Sequence, residues 1–154
     1  MLIHADAHVR QAHPDDAHSI DTLYRLLVPG SPVHVDPFRL AALQADPRAF
    51  LLVAEAEAHI LGTAFLCLCP DPMYGAQPFA VVENVVVCAA ARGRGIGGAL
   101  LHAVETLALE ADCSKIMLSS SSQRTDAHAF FCRAGFQASK LGFVKYRRDF
   151  IATA

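Results

Sequence analysis

Seven residues, RGRGIGG at 92–98, separate an apolar run, AVVENVVV at 80–87, from a segment with one broad apolar face that begins at Ile96. No regular element holds four glycines at that density, since each costs ~0.5–1 kcal/mol relative to alanine inside a helix or strand. The chain must therefore run strand, tight glycine turn, helix, in that order. Gly93, Gly95, Gly97 and Gly98 let several backbone N–H groups converge at the helix N-terminus, a geometry that holds a phosphate or pyrophosphate. Arg92 and Arg94 add positive charge beside it. A turn that merely connects and caps is the competing reading, and it leaves the glycine density unexplained.

Gly93, Gly95 and Gly98 also match the dinucleotide pattern G-x-G-x-x-G. That pattern belongs after a first strand and requires an acidic residue about 20 positions on, at the end of the next strand. Here the turn lies past the midpoint, nothing acidic occurs between Asp112 and Asp126, and too little chain follows for a doubly wound sheet. A P-loop is excluded because no Gly-Lys-Ser/Thr follows the glycines.

The surrounding pattern predicts a mixed α/β domain spanning 1–154. Strands are expected at 3–10, 50–56, 60–69, 79–87 and 115–119, with 136–138 and 143–150 closing the sheet. Helical spacing predicts helices over 15–27, 38–45, 96–111 and 125–134, the last ended by Gly135. A tight turn at Ala58-His59 makes a hairpin, and Gly62 marks a bulge. Pro/Gly loops fill 29–37 and 70–78.

With 53% hydrophobic and 18% charged residues, the chain can bury a core. A net charge of −2 gives no electrostatic case for nucleic acid, and no apolar run is long enough to span a membrane. Five cysteines without a framework spacing read as reduced thiols of a cytoplasmic protein. Cys67 and Cys69 share one strand face, a poor zinc pair, and no metal site is expected.

Arg92, Gly95 and Gly97 fill the Gln/Arg-x-x-Gly-x-Gly/Ala coenzyme A signature of the GCN5-related N-acetyltransferases (GNAT). ENVVV at 83–87 resembles that family's central strand, and AHAFFCRAGF at 127–136 resembles its Ala-x-x-Phe-Tyr-x-x-x-Gly-Phe motif. The resemblance runs from VRQAHPDDAHSI at 9–20 to the last strand. It implies the GNAT fold, a central mixed, mostly antiparallel sheet flanked by helices. It also implies acetyl-CoA held where the strands at 80–87 and 115–119 splay apart. The backbone of Val85, Val86 and Val87 would pair with the pantetheine arm, and the turn from Arg92 through Ile96 to Gly98 would wrap the pyrophosphate. Phe130 and Phe131 would lie on the cofactor side of the last helix. In SSSSQRTDA, 119–127, hydroxyls and Arg124 would bind the cofactor's arm, or end the strand and cap the helix. That run resembles a stretch of some small bacterial acetyltransferases.

The resemblance implies direct attack of an amine on the thioester. Glu83 stands where the family has its base, and a low-polarity setting would raise its pKa usefully. A structural pairing at the strand edge is the alternative. An N–H near Val85 would stabilise the oxyanion. Asn84 turns to the opposite face by alternation and reads as structural. The family's general-acid tyrosine is replaced by Phe131. Cys132 is turned ~100° away along the helix, leaving Ser121, Tyr74, Tyr146 or water as donors. A coenzyme A binder with little or no catalysis, acting in sensing or regulation, stays open. The amine acceptor, a small molecule or peptide, would meet the 15–45 and 70–78 segments, with Tyr24, His34, Asp36, Tyr74 and Phe79 as candidates. Tyr24 also suits a core position, and His34 a solvated loop. The resemblance further implies a homodimer.

Overall fold

A computed structural model describes residues 7–151. The chain forms two compact units, one ending at Leu118 and one beginning at Ser119. The first comprises β1 (His8–Gln11), α1 (Ala17–Leu27), α2 (Pro37–Ala45), β2 (Ala49–Ala56), β3 (His59–Cys69), β4 (Phe79–Val87), α3 (Ile96–Glu110) and β5 (Ile116–Leu118). The sheet order is β1-β2-β3-β4-β5; the first three pairings are antiparallel and β4–β5 is parallel. This is the expected mixed, mostly antiparallel sheet. Part of the strand expected at 3–10 lies outside the described residues.

Helices cover both faces of this sheet. On one, Ile96, Leu100 and Val104 of α3 bury against Leu52, Ala64, Leu66 and Val82. A Cβ at Gly62 would stand 3.1 Å from Ile96 Cγ2 and from Val86 O, so this glycine permits the close approach of α3. On the other face, Ile20 of α1 and Leu40 of α2 pack on Leu51 and Val53.

Local chemistry shifts several boundaries. The predicted 15–27 helix begins as a 3-10 turn at Pro14–Asp16, capped by His13, before α1 proper. Asp36 Oδ1 accepts from Phe38 N at 2.9 Å, so α2 starts at Pro37. The hairpin turn is Glu57-Ala58, with φ of 51° and 61°, one residue earlier than expected. It lacks the Gly or Asn that usually marks such turns. The bulge expected at Gly62 has its extra residue at the adjacent Leu61, opposite the Ala54/Glu55 step.

In the second unit, α4 (Thr125–Arg133) carries Phe131, buried, with its ring centroid 5.3 Å from Phe130 and 6.1 Å from Phe136. Gly135, at φ 95°, ends the helix as predicted. The strands expected at 136–138 and 143–150 are not formed. The second run is broken by a 3-10 turn at Arg147–Asp149, where Asp149 N donates to Tyr146 O at 2.8 Å. Leu141, Phe143, Val144 and Ile151 stand exposed. Alternating apolar residues favour extended backbone, but a strand needs a partner edge for its hydrogen bonds.

Candidate active site

β5 pairs with β4 only over Ile116–Leu118, opposite Ala80–Val82. β4 runs on to Val87, so from Glu83 onward its edge on that side is open within the first unit. Ala80 N–H donates to Lys115 O at 2.9 Å, so even-numbered amides here face β5. Yet Cys88 N–H, also even-numbered, donates to Leu61 O of β3 at 2.8 Å, on the opposite edge. Strict alternation cannot give both. Between the pairs Phe65↔Glu83 and Thr63↔Val86, β4 holds one extra residue, and Asn84 there adopts a φ of 55°. This bulge resets the phase. Beyond it, the amides of Val85 and Val87 face the open edge, while Val86 faces β3.

The bulge also corrects the side-chain reading. Glu83 pairs with Phe65, and paired residues share a face. Phe65 packs with α1 and α2, and Asn84 lines a cavity with it. Glu83 and Asn84 therefore lie on the same face, not opposite ones. Glu83 is exposed, so β4 does not give it the apolar setting expected. Cys67, two residues along β3 from Phe65, lies on that face too. Burial, then the neighbouring Cys69, Asp46 and Glu83, push its thiol pKa up and keep it neutral.

The glycine turn follows β4 through a 3-10 turn at Ala89–Ala91. Gly93 and Gly95 have φ of 75° and 82°, values that disfavour any side chain. Gly95 caps α3 without a side-chain bond, and buried Ile96 anchors the helix start. Ala99 N–H finds Gly95 O at 3.0 Å. The N–H groups of Ile96, Gly97 and Gly98 precede it and project from the helix end. Arg92 Nε donates to Val87 O at 3.3 Å, and both Arg92 and Arg94 are exposed beside the turn.

A cavity of ≈ 730 Å³ opens between α1, the 33–36 segment, α2 and the sheet, with Asn84 in its floor. Tyr24, His34 and Asp36, three of the acceptor-side candidates, line it. Tyr24 is half-buried; burial raises its phenol pKa, and the neighbouring Asn84 side chain opposes the shift. Asp36 is engaged as the α2 cap. Tyr74 and Phe79 do not line this cavity. Tyr74 is exposed in the 70–78 loop, and Phe79 carries Lys115 Nζ 5.3 Å from its ring centroid. In the second unit, Ser121 and Arg124 belong to the turn before α4. Ser121 O accepts from Arg124 N at 3.0 Å and lies 2.8 Å from His128 Nε2. Tyr146 and Cys132 are exposed. Sequence reasoning missed Arg39, whose place on the cavity wall follows from how α2 is rotated, and no linear motif encodes that.

Residues 20–136 match the model of the Acetyltransferase (GNAT) family. The chain belongs to this family. It is 37% identical over 101 residues to a probable glucosamine 6-phosphate N-acetyltransferase 2 of Oryza sativa subsp. japonica, covering 63% of this chain and 58% of that protein. The match thus spans under two thirds of that relative's length. The chain is 28% identical to the aminoalkylphosphonate N-acetyltransferase of Salmonella typhimurium over 139 residues, 89% of each. The crystal structure of glucosamine-6-phosphate N-acetyltransferase from Arabidopsis thaliana has the same fold, with a TM-score of 0.79 at 20% identity. That match covers 92% of this chain and 98% of the other. These relatives carry N-acetyltransferase names, as expected for the GNAT chain described here.

Proposed function

We propose that this GNAT enzyme moves the acetyl group of acetyl-CoA onto a primary amine of a small molecule or peptide by direct attack. The single observation carrying this reading is the pair of outward amides at Val85 and Val87, running toward the free N–H groups of Ile96–Gly98. The residues fit the group: strand-edge amides suit the pantetheine amides, and a helix N-terminus with two arginines suits a diphosphate. Bound acetyl-CoA supplies a thioester, whose C–S bond breaks as the amine forms the C–N bond. The Val85 N–H donates to the carbonyl oxygen as its negative charge grows. An alkyl amine arrives protonated; Glu83 accepts that proton directly or through water, and the neutral amine then attacks.

A second reading, a coenzyme A binder with little turnover, is favoured by Phe131. It is buried and has no hydroxyl to protonate the leaving sulfur. A thiol with a pKa near ~8.5 leaves without strong acid help, so the transferase reading is preferred. Thiol release measured with acetyl-CoA across an amine panel tests it. Amine-dependent release is expected; tight acetyl-CoA binding without release from any amine would favour the binder.

The named relatives point to amines such as glucosamine 6-phosphate and aminoalkylphosphonates as the first panel members. Five free thiols favour a reducing, cytoplasmic setting. The exposed apolar side chains between Leu141 and Ile151 favour a homodimer, to be checked by sedimentation.

A further inference from the structure

The cavity above β4 is lined by one guanidinium, Arg39, and one carboxylate, Asp36. Asp36 and the nearby Asp21 are both held by hydrogen bonds, and only Asp21 is ion-paired. Asp21 accepts from Arg25 Nε at 2.6 Å and from Val35 N at 3.1 Å, and Asp36 accepts from Phe38 N at 2.9 Å. Arg25 is committed as well, because its Nη2 donates to Val33 O at 2.7 Å. This network pins the 33–35 wall against α1. Arg39, one turn into α2, lines the same cavity, and among the described residues no carboxylate lies within ion-pairing distance of it. His34 stands at the same mouth. Arg39 is therefore a cation at the mouth with no carboxylate at contact distance, while Asn84 lies on the β4 side of the cavity, beside Glu83 and Val85.

We infer that the acceptor is an amine bearing an oxyanion, a phosphate, phosphonate or carboxylate, which Arg39 binds as a fork while the amine reaches β4 past Asn84. This rests on the acetyl-transfer reading for the cavity's role. An arginine matches oxyanion geometry with paired N–H donors, and such charge-assisted bonds are among the stronger ones in a partly enclosed site. The anchor works at the end of the cavity away from the thioester, so it positions the substrate without touching the reacting atoms. A purely polycationic amine would meet Arg39 with like charge and is disfavoured.

Two measurements test this. First, thiol release is compared for matched pairs, 2-aminoethylphosphonate against ethanolamine and glucosamine 6-phosphate against glucosamine. The anionic member is expected to have a kcat/KM about tenfold higher or more. In Arg39→Ala that preference should collapse, mainly through KM, and Arg39→Lys should retain part of it. Equal rates for the paired amines, or an Arg39→Ala loss shared equally by both, would overturn the inference. Second, methylphosphonate is titrated into the acetyl-CoA-loaded protein and followed by NMR. Saturable shifts around residues 34–39, lost in Arg39→Ala, are expected. Their absence would overturn the oxyanion site even if no amine were turned over, whereas absent turnover with these shifts present would count against acetyl transfer alone.

Discussion

Arg92 Nε donates to the carbonyl oxygen of Val87 at 3.3 Å, tethering the first residue of the glycine turn to the last residue of β4. This bond uses one face of the guanidinium and leaves its two Nη groups for an anion at the helix end. Arg92→Ala should weaken acetyl-CoA binding by about 1.5–3 kcal/mol, the usual worth of hydrogen bonds to a charged group. Arg92→Lys should fall between, because a point charge does not reproduce the fork. Calorimetric titration with coenzyme A checks this. An Arg92→Ala affinity within twofold of the parent would show that the guanidinium does not reach the ligand.

Gly95 and Gly98 should respond oppositely to alanine. A Cβ at either would meet nothing within 4 Å, so crowding does not separate them. Backbone conformation does: Gly95 has a φ of 82°, whereas Gly98 lies inside α3. Gly95→Ala should cost about 1–2 kcal/mol through left-handed strain. Gly98→Ala should gain about 0.4–1 kcal/mol by restricting the unfolded chain. Urea denaturation of both variants measures the difference. Gly95→Trp should in addition abolish acetyl-CoA binding by filling the turn.

Much of this architecture was legible because it is local. The glycine run, the apolar face of α3 and the β2–β3 hairpin each announce themselves within a dozen residues. What was not legible depends on partners elsewhere. ENVVV reads as plain alternation, and only the register against Thr63 and Phe65 reveals the extra residue at Asn84. The single hint was the asparagine itself, which tolerates positive φ better than valine does. The runs at 136–138 and 143–150 carry strand-like residues without a partner edge. The Glu57-Ala58 turn hides because neither residue is a usual turn former, and Arg39 because a helix rotation decides which way it faces.

Asp16 gives a pH dependence with a definite sign. Arg10 Nη1 and Nη2 donate to its two oxygens at 2.8 and 3.0 Å, and His13 N donates at 2.7 Å. The Arg10 guanidinium, chiefly through its hydrogen bonds, holds the Asp16 carboxyl below its ordinary pKa despite burial. The unfolded chain therefore binds this proton first as pH falls. The contribution is complete above the unfolded value near ~3.9 and is lost as pH drops through the folded value. Asp16→Asn should cost about 2 kcal/mol near neutral pH. The gap between parent and variant should close below about pH 4, since the amide does not titrate. Denaturant unfolding at neutral and acid pH measures both; a gap that persists unchanged in acid would mean that Asp16 acts through packing rather than charge.

Glu83 is exposed on the face shared with Phe65 and Cys67, where water can connect it to an incoming amine. Glu83→Gln should leave acetyl-CoA affinity within about twofold, because the proposed grip of β4 on that ligand runs through its backbone and not this side chain. Turnover should fall by about 10²–10⁴, the usual worth of a positioned base. The deficit should widen toward lower pH, since the variant depends on amine that is already neutral. For an alkyl amine that fraction falls about tenfold per pH unit below a pKa near ~10. The pH–rate profiles of parent and variant decide the matter: parallel curves would dismiss Glu83 as the proton acceptor.

Asn84 controls which amides face the open edge, so its backbone should matter more than its side chain. Asn84→Gly can keep a φ of 55° at no steric cost and should retain acetyl-CoA binding within a few-fold. It should loosen Tyr24, which lines the same cavity as the Asn84 side chain. Asn84→Val cannot hold that conformation without strain of about 1–2 kcal/mol. The strand can relieve the strain by absorbing the extra residue, but alternation would then run unbroken from Ala80. The Val85 and Val87 amides would turn to β3 and leave the edge without its donors. Asn84→Val should thus lose acetyl-CoA binding far beyond its loss of stability, while Asn84→Gly loses little of either. Denaturation and coenzyme A titration on the two variants separate the effects. Intact binding in Asn84→Val would show that the outward amides do not depend on the bulge.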